Sequence, residues 1–129
     1  MLHNTFMSKD TLTNSIIHYL HYHRGITFDV KYMRGEMSYY HDRYGLEADG
    51  VLHLKDGRYA LLEFKLGASE INDGARHLCE IERLIKEYNK KEKQVPLRLP
   101  DLKMVITGTE YGFKREDGVL VIPIGCLKD

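Results

Sequence analysis

The chain has 129 residues, 19 Lys+Arg against 19 Asp+Glu, and 43% hydrophobic residues. These are the proportions of a single globular domain, too short for two large domains and too apolar for a disordered chain. A formal net charge of zero, shared evenly between the two halves, excludes nucleic-acid binding through bulk cationic charge, so any such site is local. Cys79 and Cys126 are too few for a disulfide scaffold and form no CxxC or Cys/His cluster. No basic leader and no run of about 18 apolar residues appears, so a reduced, cytoplasmic protein with no membrane partner is expected.

Leu12, Ile16, Tyr19 and Leu20 recur at helical spacing and predict a helix from Thr11 to Tyr22, with Asp10 as its N-cap and Gly25 as its stop. Ile26 to Met33 alternates like a strand, and Met37 to His41 reads as another after the Arg34-Gly35 turn. Leu46–Leu54 and Arg58–Leu66 form the clearest pair of strands. Ser69 then opens a long amphipathic helix whose stripe is Ile71, Ala75, Leu78, Ile81, Ile85 and Tyr88, with Gly74 weakening its first turns. Asn89 to Pro100 is a polar loop, and Leu102 to Thr107 has the unbroken apolar character of a buried strand. A last hairpin turns at Glu116-Asp117-Gly118 and sends out Val119 to Ile122. Residues 1–129 therefore read as one α/β domain, a sandwich around a central mixed sheet.

Three charges interrupt the apolar central hairpin: Asp49 in its first strand, Glu63 and Lys65 in its second. Glu63 and Lys65 are two apart and share a face, with Phe64 on the other. A two-residue Asp56-Gly57 turn would set Asp49 opposite Phe64, on the wrong face. A three-residue Lys55-Asp56-Gly57 turn, with Gly57 left-handed, pairs Leu54 with Arg58 and sets Asp49 opposite Glu63. The apolar pattern selects the second register. It gathers Leu46, Ala48, Leu52 and Leu54 with Ala60, Leu62, Phe64 and Leu66 on one face, and leaves Glu47, Asp49, Val51, His53, Tyr59, Leu61, Glu63 and Lys65 on the other.

Two opposed carboxylates repel unless something positive lies between them. Spacing leaves two readings open. In one, Lys65 neutralises Asp49 and Glu63 in an ion-pair network. In the other, the carboxylates bind Mg²⁺ or Mn²⁺ and the ammonium orients a water or holds a phosphate oxygen, the chemistry of phosphodiester hydrolysis.

An Asp followed one hairpin later by Glu-x-Lys, after a helix and before a helix and strand, resembles the PD-(D/E)xK nuclease superfamily. Longer strings carry more. Asp42-Arg43-Tyr44-Gly45-Leu46-Glu47-Ala48-Asp49, Asp56-Gly57-Arg58-Tyr59-Ala60-Leu61-Leu62-Glu63-Phe64-Lys65-Leu66-Gly67, and Met104-Val105-Ile106-Thr107-Gly108-Thr109 through Arg115-Glu116-Asp117-Gly118 to Ile122-Pro123-Ile124-Gly125-Cys126 resemble the domain of unknown function that follows the AAA-type P-loop ATPase domain in a large family of prokaryotic ATPases. That resemblance runs from about Tyr39 to Lys128.

The resemblance implies a restriction-endonuclease-like αβββαβ sandwich with an added strand. It makes Asp49, Glu63 and the Phe64 carbonyl the metal ligands, and Lys65 the assistant of the attacking water, in a Mg²⁺- or Mn²⁺-dependent nuclease acting on DNA or RNA. Asp10 is the one nearby candidate for the first-helix acid that often completes such sites. The implied alternative is a non-catalytic interaction module that keeps the fold and binds an ATPase domain, another protein or a second copy of itself. No Gly-x-x-x-x-Gly-Lys-Ser/Thr string occurs, so no nucleotide cofactor is expected, the upstream ATPase domain is expected to be missing, and Ile26 to Gly35 reads as a local addition.

Weaker signals have plainer explanations. His18, His21 and His23 lack a completing Cys or carboxylate and fit an exposed polar face better than a metal site. Arg83, Lys86, Lys90, Lys91, Lys93 and Arg98 form the best local basic patch, but a solvated helix end with a Glu82–Lys86 pair accounts for them. Cys79 and Cys126 have no neighbouring base and are expected in the core. Tyr39, Tyr40 and Tyr44 are better placed for base contacts, although Tyr39 and Tyr40 cannot share a strand face.

Overall fold

The computed structural model describes residues 8–27, 35–41, 47–91 and 95–127, with 39–41 as main chain only. Helix α1 (Lys9–Arg24) leads into strands β1 (Gly35–His41), β2 (Glu47–Leu54) and β3 (Tyr59–Lys65). Helix α2 (Ile71–Lys91), strand β4 (Leu102–Thr107) and the short pair β5 (Phe113–Lys114) and β6 (Leu120–Pro123) follow. Together they make a mixed α/β fold with a six-stranded sheet in the order β1-β2-β3-β4-β6-β5. β1, β2 and β3 run antiparallel, β4 lies parallel to β3 and to β6, and β5 closes the edge antiparallel to β6. Residues 28–34, most of the predicted Ile26–Met33 strand and local addition, and 42–46 lie outside the described residues; Ile26 and Thr27 are not in a strand.

The two helices cover opposite faces of the sheet. Ile16, Ile17 and Leu20 of α1 pack on Leu52, Leu54, Ala60, Leu62, Met104, Ile106 and Ile122, whereas Ala75, Leu78 and Ile81 of α2 pack on Val51, Leu61, Val105 and Val121. β4 supplies side chains to both layers, and its inner residues Met104, Val105 and Ile106 are fully buried, as its unbroken apolar run predicts.

Helix ends differ from the predicted ones where side-chain chemistry decides. Ser8, not Asp10, is the N-cap of α1: its hydroxyl accepts from the Thr11 N–H, which moves the start to Lys9 and leaves Asp10 exposed in the first turn. Gly25 ends α1 in the left-handed conformation at φ 68°, as predicted. Before α2, residues Ala68–Glu70 form a 3₁₀ turn in which the Glu70 carboxylate accepts from the Gly67 N–H. α2 then runs on to Lys91, so Asn89 is helical rather than part of a loop. Its side-chain amide binds both the N–H and the carbonyl of Leu97, which fixes the segment that leads back to β4.

Candidate active site on the hairpin between β2 and β3

The three-residue turn forms as predicted. Gly57 has φ 94°, its N–H donates to the Leu54 carbonyl, and the Leu54 N–H donates to the Arg58 carbonyl at 2.8 Å. The ladder pairs His53 with Tyr59, Leu52 with Ala60, Val51 with Leu61 and Gly50 with Leu62. The next step of this register sets Asp49 opposite Glu63.

At that step the main-chain ladder gives way to side chains. The Asp49 N–H donates to Glu63 Oε2 at 2.8 Å, and the Phe64 N–H donates to Asp49 Oδ2 at 2.8 Å. Each carboxylate is thus anchored by one oxygen to the opposite strand, while Asp49 Oδ1 and Glu63 Oε1 have no protein donor among the described residues.

A β-bulge explains why the ladder breaks here. On the β1 side Ser38 pairs with Val51 but Tyr40 with Ala48, so Asp49 and Gly50 together oppose Tyr39 alone. Gly50 suits the site because a Cβ there would lie 3.0 Å from Met37 Sδ. The bulge also inverts the parity of the strand upstream, and Ala48 consequently packs with Val51 and Leu61 under α2 rather than with Leu52 and Leu54. Leu66, predicted on the core face, lies past the end of β3 and is exposed.

Glu63 is only 5% exposed, which decides its chemistry. Burial pushes its carboxyl above the usual range, and the charge of Asp49 adds to this, while the Asp49 N–H, His77 and Lys65 pull the other way. Lys65 shares the face of Glu63, but no described carboxylate lies within 4.0 Å of its Nζ. The ion-pair network that would neutralise the site locally is not formed among the described residues. Asp49 itself is exposed, so the pair has one buried and one open member.

Helix α2 lies directly over these groups. A Cβ on Gly74 would come 3.0 Å from Lys65 Cγ and 3.6 Å from Glu63 Cβ, so the glycine allows the helix to approach β3. One turn further on, His77 Nε2 donates to the carbonyl of Glu47. The sequence pattern marks Gly74 only as a helix weakener and does not single out His77. Their spacing of three on the helix that follows Glu-x-Lys was the available signal.

The donor set suits a hard divalent cation in kind: two carboxylates with one unengaged oxygen each, and the Phe64 carbonyl in the chain between Glu63 and Lys65. Among the described residues no group of three or more His, Cys, Asp or Glu is arranged to hold a metal. Asp10 therefore does not join Asp49 and Glu63; it belongs to α1, which packs on the other face of the sheet.

The remaining candidates are engaged elsewhere. His18 stacks on Tyr22, His23 stacks on Tyr19, and His21 Nδ1 contacts the Ile26 carbonyl. In the basic patch, Arg83 pairs with Glu80, Lys90 with Glu87 and Arg98 with Asp101. Glu82 bonds Lys103 of β4 at 2.7 Å instead of Lys86, because the helix side facing the sheet offers a less solvated partner. Cys79 packs against the α2 layer, whereas Cys126 is exposed, which corrects its predicted core position. The side chains of Tyr39, Tyr40 and Tyr44 lie outside the described residues. No helix among the described residues is long and apolar enough to cross a membrane.

Residues 16–127 match the family described as Domain of unknown function (DUF4143). No curated protein and no solved structure matches the chain.

Proposed function

The chain belongs to the DUF4143 family over residues 16–127, and from that premise we propose that it carries a Mg²⁺- or Mn²⁺-dependent phosphodiester hydrolase site of the PD-(D/E)xK type, acting on DNA or RNA. One observation carries the reading: Asp49 and Glu63 stand opposite each other, each tied by one oxygen to a main-chain N–H with the other oxygen unengaged. Opposed carboxylates with a buried member are unfavourable without a cation, and a fold that holds them together resembles a ligand pair more than a structural contact.

Asp49, Glu63 and the Phe64 carbonyl would hold the ion. A bound divalent ion supplies Lewis acidity toward the phosphodiester. Lys65, on the same face and without a carboxylate partner among the described residues, keeps its ammonium for a phosphate oxygen or for a water. The position at the carboxyl end of β3, beside the parallel strand β4, is where open α/β sheets place their ligands. The αβββαβ order of the first elements and the added edge strands agree with a restriction-endonuclease-like sandwich.

Calorimetric titration of Mn²⁺ into the folded protein near neutral pH tests the site. Binding is expected in the wild type and is expected to disappear in Asp49→Asn and Glu63→Gln variants that remain folded. Cleavage of single-stranded, duplex or structured nucleic acid is expected to disappear in both and in Lys65→Met. A folded wild type that binds no Mn²⁺ sinks the proposal.

The lack of a third His, Cys, Asp or Glu ligand among the described residues favours a second reading, a non-catalytic module that binds an ATPase domain, another protein partner or a second copy of itself. It predicts a protein that neither binds Mn²⁺ nor cleaves any of these substrates.

A further inference from the structure

The bulged end of β2 poses a mechanical problem. Asp49 is useful as a ligand only if its carboxylate stays aimed at Glu63, yet the main-chain ladder to β3 stops at the Gly50–Leu62 pair. Beyond it, the β2–β3 contacts run through the Asp49 and Glu63 side chains themselves. β1 still pairs with this end of β2 through Tyr40–Ala48 and His41–Glu47 on its other edge, but toward β3 only the two groups that must bind the ligand hold it, and that side would yield when the ligand arrives.

His77 supplies an outside support. It projects from α2 one turn after Gly74, the residue whose missing side chain lets the helix come down over Glu63 and Lys65. Its Nε2–H donates to the Glu47 carbonyl, two residues before Asp49 on the same strand. A carbonyl can only accept, so the proton sits on Nε2 in the neutral ring as well as in the cation. The helix that roofs the site is thereby tied to the strand segment that carries the open ligand, independently of either carboxylate.

We infer that His77 is a positioning residue, which braces the bulged end of β2 against α2 and so fixes where Asp49 stands relative to Glu63. Its consequence for metal binding rests on the hydrolase reading; its mechanical role does not. Groups that orient ligands from outside typically alter metal affinity by about ten- to a hundredfold when removed. Gln can reach the Glu47 carbonyl with its side-chain N–H₂, whereas Phe keeps the ring volume and loses the donor, so the two substitutions separate the hydrogen bond from packing.

The test has two arms on the intact chain. Amide hydrogen exchange, followed by NMR without metal, is expected to be about tenfold faster at the Asp49 and Phe64 N–H groups in His77→Phe than in wild type, with Val105 and Ile106 of β4 unchanged. His77→Gln is expected to stay within about threefold of wild type at the same amides. Mn²⁺ titration is expected to show about tenfold weaker binding in His77→Phe and recovery in His77→Gln. Unchanged exchange in His77→Phe, or a Gln variant as fast as the Phe variant, overturns the role of His77 whether or not metal binds. A wild type that binds no Mn²⁺ overturns the hydrolase reading, and the exchange arm still decides the positioning role.

Discussion

The two ends of the β2–β3 hairpin are built on opposite terms. At the turn end every bond is local: the Leu54 N–H donates to the Arg58 carbonyl, the N–H of a left-handed Gly57 donates to the Leu54 carbonyl, and Asp56 accepts from the Arg58 N–H and, at 2.6 Å, from its guanidinium. At the other end the ladder has stopped, and a buried Glu63 and an exposed Asp49 hold each other's strands through their carboxylates. The pKa directions follow this division. The hydrogen bond from Arg58 holds Asp56 below the usual carboxylate range, whereas burial lifts Glu63 above it. One hairpin thus carries an acid that stabilises the fold when charged and another that does so when neutral.

The largest expected effect exploits this difference. Without metal, the raised folded pKa of Glu63 means that its contribution is fully present below its unfolded value near 4.5 and is lost as pH rises through the folded value. Glu63→Gln removes that dependence, so urea unfolding should find the variant and wild type similar in acid and the variant more stable in mild alkali. Mn²⁺ should reverse the order. At a free concentration roughly a hundred times Kd, wild type should gain about 2.7 kcal/mol and the Gln variant almost none. If Mn²⁺ fails to stabilise wild type at any pH, the two ends differ only in packing.

The turn end was readable from sequence because its determinants are local. Asp56-Gly57 marks the turn, and the parity of Leu52, Leu54, Ala60 and Leu62 admits one register, which sets Asp49 against Glu63. The site end was less readable because its determinants are tertiary. Only Gly50 hints at the bulge, which moved Ala48 to the other layer. Gly74 looked like a defect in a helix and proved to be a contact surface for Lys65 and Glu63. The sequence does not single out His77, since nothing in its neighbours names the Glu47 carbonyl, 30 positions earlier. Helical spacing pairs Glu82 with Lys86, but Glu82 bonds Lys103 on the sheet. At the start of α1 the N-cap lies two residues before the expected Asp10, because the Ser8 hydroxyl accepts from the Thr11 N–H.

Gly74 offers the next sharpest separation between the ends. Ala at this position gains helix propensity, about 0.5–1 kcal/mol, against a methyl that needs only a small shift of the flexible Lys65 stem 3.0 Å away, so its stability should stay near wild type. Leu would push into Val105 and Glu63 as well, and should cost about 2 kcal/mol in denaturant unfolding while weakening Mn²⁺ binding. Gly57 is the counterpart at the turn: nothing lies within 4 Å of a Cβ there, so Gly57→Ala meets only the φ of 94°. It should cost about 1 kcal/mol from backbone strain, with no change in Mn²⁺ affinity.

The smallest effect is the most discriminating about independence. Asp56→Asn removes the ionic part of the Arg58 pair, an exposed interaction worth about 0.2–1 kcal/mol. The depressed folded pKa fixes the sign: the contribution is present above the unfolded value of 3.8 and disappears as pH falls through the folded value. The cost of the substitution should therefore be seen at neutral pH and vanish in acid, the inverse of Glu63→Gln. Asp56 in the turn and Glu63 near the end of β3 are seven residues apart along the hairpin, a span of roughly 20 Å, far enough for their effects to add within about 0.5 kcal/mol. Additivity of Asp56→Asn and Glu63→Gln across the pH range would show that the carboxylate pair is strained by its own surroundings alone. A larger coupling would mean that the turn transmits strain along the ladder to the bulge, and that the ends are one unit.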